Sequence, residues 1–255
     1  MKTLQLSLNH LPPSINRIYL AFSGGIDSMV LLHALQDYKS RYQIILWHIN
    51  HGLQKNAMQM QSFAEQQARH YELEFRLSQL QLNPQAGNLE ATARHQRYDL
   101  FSQALTDSDL LMTAHHMNDQ AETLLLQLMR GAGPAGLAAM PLIKSFGKGY
   151  HGRPLLGFSQ QQLRHYAAEH RLVWVEDPSN ADTSYDRNYV RRHVLPVLTE
   201  NWPHASQALA QAADLQQDAL EIIDAMAATD LAAVASQQHN SLSIIKLKQL
   251  PEARQ

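Results

Sequence analysis

Ser23-Gly24-Gly25-Ile26-Asp27-Ser28 follows an apolar run and precedes a helical pattern. In that setting backbone N–H groups and the start of a helix hold phosphate. Two glycines let the backbone close on an anion, and the Ser23 and Ser28 hydroxyls add donors. Asp27 sits badly beside phosphate unless a cation or a substrate amine lies there too, and Mg²⁺ is the economical choice. The loop is not Gly-x-x-x-x-Gly-Lys-Ser/Thr, so the lysine that grips a γ-phosphate is missing. A plain capped strand–helix turn uses the same residue types. Farther along, Asp119 and Glu122 stand three apart on a helix beginning near Asn118. They share a face and can grip a cationic amine, although acidic residues also suit the first turn of any helix. His115 and His116 come directly after the predicted strand Leu110–Thr113, where functional groups of an open parallel sheet collect. One of the two is placed to meet a phosphate or a base. With Asp119 they make a poor zinc set, having neither His-Glu-x-x-His spacing nor a thiolate.

Arg94 and Arg97, three apart on a predicted helix from Leu89 to Leu105, can face a phosphate or an RNA backbone together. The plainer alternative is a solvated face with Arg94 paired to Glu90. Arg130 ends a helix just before a glycine-rich stretch, as the helix dipole also favours. Asn180, Arg187, Asn188, Arg191 and Arg192 surround a turn and a helix start. An Asn amide and fork-shaped guanidinium groups there suit base edges and phosphates, while solvation explains scattered arginines as well. The Gly131–Gly136 loop has few side chains to obstruct a flipped base or an adenine.

These groups need a scaffold, and the hydrophobic pattern supplies one. Strands are predicted at Ile18–Phe22, Gln43–Ile49, around Phe75 and Leu77, and at Leu110–Thr113, separated by helix-length segments. That alternation specifies an α/β fold, an open and mostly parallel sheet with helices on both faces. From Arg130 to Leu156 nine Gly and Pro residues leave room for a loop and one short hairpin. A Ser159-capped helix to about His170, a strand at Leu172–Val175 and a helix at Arg187–Leu198 follow. Beyond Trp202-Pro203 the composition turns to Ala and Gln with helical periodicity from Ser206 to about Ala235. The expected division is a catalytic domain over 1–205 and, over 206–255, a helical linker with the start of a truncated C-terminal domain.

With 255 residues, 45% hydrophobic and 17% charged, the sequence is neither a disordered tail nor a fibre. Its 21 Lys+Arg against 23 Asp+Glu give a net charge of −2, so nucleic acid must be met by local basic patches. The absence of cysteine removes thiolate metal sites, iron–sulfur clusters and persulfide chemistry. No signal-peptide core precedes Pro12-Pro13 and no run approaches the ~18 apolar residues of a membrane span. A soluble cytoplasmic protein is the expectation.

Ser-Gly-Gly-Ile-Asp-Ser resembles the loop of the PP-loop ATP pyrophosphatases, which split ATP into AMP and pyrophosphate. Five further segments resemble the tRNA(Ile)-lysidine synthase family within that group: His48–Leu53, Glu90–Tyr98, Thr113–Thr123, Arg130–Met140 and Glu176–Asn188. Asn50 and Asn118 depart from it, standing where many members carry an acid. The resemblance implies ATP and Mg²⁺ as cofactors and, as partners, L-lysine and an isoleucine tRNA with a CAU anticodon. Lysine would be joined to the 2-position of cytosine at the first anticodon base through an adenylated cytosine, changing codon reading from AUG to AUA. It implies ATP contacts at Ser23, Gly24, Gly25, Ile26, Asp27 and Ser28, with Mg²⁺ near Asp27. Asp27, His115, Asp119, Glu122 and Arg130 would be catalytic, and Arg94, Arg97, Asn180, Arg187, Asn188 and Arg191 would meet tRNA. The lysine amine, with a reference pKa near ~10.4, must lose a proton to a carboxylate or imidazole or bind in its neutral form. Three rivals fit less well. A tRNA thiolase generally needs cysteines, an amidating relative a glutaminase, and a universal-stress-type nucleotide sensor has no use for Asp119, Glu122 or the Glu176–Asn188 segment.

Overall fold

The computed structural model describes residue 8 and residues 11–50, 52, 57–80, 89–176, 182–183, 185–236 and 241–254, with the backbone alone at 89–91. Six strands form one sheet: β1 (Arg17–Ala21), β2 (Gln43–Asn50), β3 (Glu74–Gln79), β4 (Asp109–Met112), β5 (Ile143–Phe146) and β6 (Gly149–Gly152). Their order is β3-β2-β1-β4-β6-β5, and only the β5–β6 pair is antiparallel. The helices between them are α1 (Ile26–Ala34), α2 (Ala57–His70), α3 (Leu89–Ala104), α4 (Met117–Met129), the single turn α5 (Pro134–Leu137) and α6 (Gln160–Glu169).

Alternation along the strands divides the core in two, because successive side chains leave opposite faces of a sheet. Ile18, Leu20, Ile44, Leu46, Leu110 and Met112 face one side and pack with α1, α2 and α6. Tyr19, Ile45, Trp47 and Leu111 face the other and pack with Phe101 and Leu105 at the end of α3. Continuous apolar runs such as QIILWHI are therefore strands buried on both faces. Arg17 is tied to the fully buried Asp109 by two hydrogen bonds of 2.7 and 2.9 Å, fixing the register of β1 against β4.

The hairpin expected after Arg130 has a larger part than a loop, since β6 pairs in parallel with β4 and extends the sheet. It is seated by glycines. A Cβ at Gly147, where φ is +58°, would lie 2.1 Å from the Ser102 carbonyl oxygen; one at Gly149 would lie 2.5 Å from that of Asp109. The expected strand at Leu172–Val175 is not regular structure. There the Val175 N–H donates to Gly24 O at 3.0 Å, while Leu172 and Trp174 lean on the core. The helix expected over Arg187–Leu198 is present with a π turn inside it: α7 (Asp186–Tyr189) passes through Val190–Val194 into α8 (Leu195–Asn201). Pro196, in the first turn of α8, has no N–H for the regular ladder. The long α9 (Ala205–Val234) packs on α4 and α5, and α10 (Ile244–Leu247) follows. None of the helices is long and apolar enough to cross a membrane, among the described residues.

Gly147→Ala combines a positive φ with a backbone collision. It should lower unfolding free energy by about 2 kcal/mol or more in urea denaturation, where an exposed Gly157→Ala change should do little.

Candidate active site

The strand order reverses at β1 and β4: the chain winds outward from β1 through β2 to β3, then returns to place β4 on the other side of β1. Ligands of open α/β sheets bind beyond the carboxyl ends of strands at such a switch. The Ser23–Ser28 loop leaves β1 there and His115, His116 and Asp119 leave β4 there.

The loop is braced from within. Gly24 adopts φ +88°, a conformation open to glycine, and its N–H donates to Ser28 Oγ at 3.1 Å. Ser28 Oγ–H donates to Gly25 O at 2.8 Å, and the Gly25 N–H donates to Ser23 Oγ at 3.3 Å. Helix α1 then starts at Gly25 with no side-chain cap, so the first-turn amides of Ile26, Asp27 and Ser28 lack intrahelical acceptors. Asp27 stands among them with its Oδ1 buried and without a hydrogen-bond partner. Burial, first of all, holds its carboxyl above the usual range. An orphaned carboxylate oxygen beside free helix-start amides fits an oxygen-ligated cation shared with phosphate, since Mg²⁺ commonly takes only one or two protein carboxylates. Beneath the loop, His48 of β2 donates its Nδ1–H to Phe22 O at 2.9 Å, and burial lowers its pKa.

His116 joins the loop to the acid pair. It is 2% exposed and caps α4, its Nδ1 accepting the Asp119 N–H while Asp119 Oδ2 accepts the His116 N–H at 2.9 Å. Its Nε2 lies 3.7 Å from Asp27 Oδ2 and 3.6 Å from Asp119 Oδ2. Asp119 and Glu122 do share a face, and each meets two guanidinium groups. Arg187 donates to Asp119 Oδ1 at 2.9 Å and Glu122 Oε2 at 2.8 Å. Arg191 donates to Asp119 Oδ1 at 2.9 Å and to the two Glu122 oxygens at 2.6 and 2.9 Å. Glu122 is wholly buried, a position that needs such charge-assisted partners. Although burial alone would raise it, Asp119 lies well below the usual carboxylate range because His116, Arg187, His115 and Arg191 face it. Arg187 and Arg191, expected to meet tRNA, thus line the acid pair.

Other expected residues lie apart. Arg130 is exposed at the end of α4, eleven residues or about 16 Å along the axis from Asp119 at 1.5 Å per residue. Arg94 and Arg97 flank the Tyr98 ring at 5.1 and 5.8 Å. Asn188 donates to Asp182 O at 2.7 Å, and Asn180 lies outside the described residues. The glycine loop is pinned to α4, where the Gln120 amide bonds both the N–H and the C=O of Met140. Asn118 accepts the Gln160 N–H at the start of α6 and donates to Ser206, so the departure there serves packing. The Asn50 side chain bonds Gln61 and the Gly52 N–H. No cluster of three His, Cys, Asp or Glu able to hold a metal unaided occurs among the described residues. Sequence reasoning missed Thr113, His151 and Arg153, which are hydrogen-bonded behind His115.

Residues 1–198 match the PP-loop domain family. Curated relatives include the tRNA(Ile)-lysidine synthase of Proteus mirabilis, 40% identical over 94% of this chain and 55% of its own length. That of Pseudomonas putida is 45% identical over 84% of this chain and 51% of its own. The chain thus spans about half the length of these relatives. Among solved structures, the U34-tRNA thiolase NcsA of Methanococcus maripaludis superposes with a TM-score of 0.68 at 17% identity, covering 84% of this chain and 75% of its own. That likeness is one of fold.

Glu122→Ala would leave two guanidinium groups facing a lone carboxylate, and should cost about 3 kcal/mol in urea denaturation. The Asp119 carboxyl is more acidic folded than unfolded, so its contribution is present above the unfolded value of about 3.9 and is lost as pH falls through the lower folded value. The stability gap between wild type and Asp119→Asn should therefore narrow below about pH 4.

Proposed function

From the premise that the chain belongs to the PP-loop family, we propose that it carries the catalytic site for joining L-lysine to the 2-position of cytosine at the first anticodon base of tRNA(Ile) with a CAU anticodon. The observation that carries this reading is the meeting, through His116, of an anion-ready loop holding Asp27 with a buried pair of carboxylates. One half suits a nucleotide and the other a cationic amine. The names of the relatives supply the substrate.

In the first step the cytosine 2-oxygen attacks the α-phosphorus of ATP, the bond to the β-phosphate oxygen breaks, and pyrophosphate leaves. The amides of Ile26, Asp27 and Ser28 hold the phosphates. Asp27 holds the accompanying Mg²⁺, which when bound supplies positive charge for the departing pyrophosphate. In the second step the lysine ammonium gives a proton to solvent, the ε-amine it leaves attacks the activated carbon and sheds a second proton to solvent, the carbon–oxygen bond breaks, and AMP leaves. Asp119, ionised throughout the physiological range, is too weak a base to take the amine's proton; with Glu122 it places the amine. The two carboxylates and two guanidiniums already neutralise one another, so a third cation requires an arginine to change partner. The phosphates of ATP and tRNA are anions to which Arg187 and Arg191 can turn. Such chemistry belongs in the cytoplasm.

Pyrophosphate release should require ATP and tRNA(Ile), and AMP transfer to free product should also require lysine. Release independent of tRNA would contradict the reading. Asp27→Ala should abolish release while changing urea stability by less than about 1 kcal/mol, since its buried oxygen has no partner to lose. Asp119→Asn should slow a lysine chase of preformed adenylated tRNA more than it slows adenylation; the opposite ranking would move the amine elsewhere.

A further inference from the structure

Behind His115 three side chains form a chain running into the sheet. Arg153 Nη2 lies 3.1 Å from His151 Nδ1, His151 Nε2 lies 2.9 Å from Thr113 Oγ1, and Thr113 Oγ1 lies 2.8 Å from His115 Nδ1. Thr113, His151 and Arg153 are all buried. Arg153 also donates to Pro141 O at 2.8 Å and its backbone N–H to Leu142 O, so the guanidinium is anchored. The parallel β4–β6 pairing sets His151 beside Leu111, bringing its ring to the hydroxyl two residues on.

One direction satisfies every group of the chain. Guanidinium only donates, so His151 Nδ1 must accept. A neutral His151 then carries its proton on Nε2 and donates to Thr113. Thr113, having accepted there, has its single hydroxyl proton to give to His115 Nδ1, an arrangement that seats each proton of the chain between two heavy atoms. In it His115 carries its proton on Nε2, the edge the chain leaves for a ligand. The opposite order would have Arg153 and His151 Nδ1–H donating at each other.

We propose that Thr113, His151 and Arg153 are positioning residues that hold His115 as a fixed Nε2–H donor to the α-phosphoryl oxygen of ATP, and later of the adenylated base. This rests on the reading above of a nucleotide at the β1–β4 switch. The donor serves both steps, because the same phosphorus is attacked first and departs with AMP second. It also removes His115 from contention as the base for the lysine amine. The surroundings agree. Asp119 from α4, Arg187 from α7, Arg153 after β6 and Arg94 from α3 face His115; burial, before any of these, pushes its pKa down to about 3. His151, facing Arg153, His115, Lys144 of β5 and Arg94, is pushed by burial down to about 2. Both rings stay neutral at working pH.

The test is long-range ¹H–¹⁵N spectroscopy of the chain labelled in histidine nitrogen, paired with pyrophosphate release. In wild type the His115 signals should show a neutral ring protonated on Nε2 and unchanged between about pH 6 and 8. A proton on Nδ1, or titration in that range, overturns the proposal without touching the proposed function. Thr113→Val removes the hydroxyl at nearly constant shape. It should mix the His115 tautomers and slow pyrophosphate release about 10- to 100-fold, with Thr113→Ser recovering both. If Val leaves release unchanged, the chain is only structural and the positioning role falls. If Val does not fold, the wild-type spectrum and the Ser variant still decide. Wild type that shows the expected tautomer but releases no pyrophosphate with tRNA and lysine would contradict the proposed function and, with it, the phosphoryl partner assigned to His115.

Discussion

A carboxylate buried without a partner costs several kcal/mol, and the first turns of α4 bury two on one face. Much of the site's arrangement answers that constraint. Arg187 and Arg191, one helical turn apart, are drawn from a segment some 65 to 72 residues away to neutralise Asp119 and Glu122. Their pairing ties α7 and the π turn to α4. The ion cluster is thus a clasp as well as a charge source, and it holds Asp119 ionised.

The clasp matters because of where the sheet puts it. The reversal between β1 and β4 brings two loops to one edge, one built to receive an anion and the other carrying the acid pair and two histidines. Those histidines are adjacent in sequence yet divided in task. His116 turns inward to cap α4 and to stand between Asp27 and Asp119, while His115 is held from behind by Thr113. The proposed anion and amine subsites can then share a boundary without their opposite charges collapsing on one another.

The parts legible from sequence were those written locally. Long apolar runs named β1, β2 and β4, the Ser-Gly-Gly run named the turn into α1, and spacing put Asp119 beside Glu122. What could not be read depends on distant partners. Gly149–Gly152 is too short and too glycine-rich to carry a strand pattern. Pairing with β4 and β5, with Gly149 fitted against the Asp109 and Thr106 carbonyls, makes β6 and with it the placement of His151 and Arg153. Leu172–Val175 has strand-like residues yet meets a loop carbonyl rather than a strand edge. That Arg187 and Arg191 meet Asp119 and Glu122 could not be read, because nothing near the arginines in sequence announces those carboxylates.

The central claim is that the buried acid pair is an amine site opened by phosphate binding. Its most direct measurement is calorimetric titration of L-lysine into the chain, with and without a non-hydrolysable ATP analogue and Mg²⁺, in wild type and in Glu122→Gln. Lysine should bind wild type more tightly when the nucleotide is present, and Glu122→Gln should weaken that binding about tenfold or more while the variant still takes up the nucleotide. Equal lysine affinity in the two proteins, or affinity indifferent to nucleotide, would contradict the account.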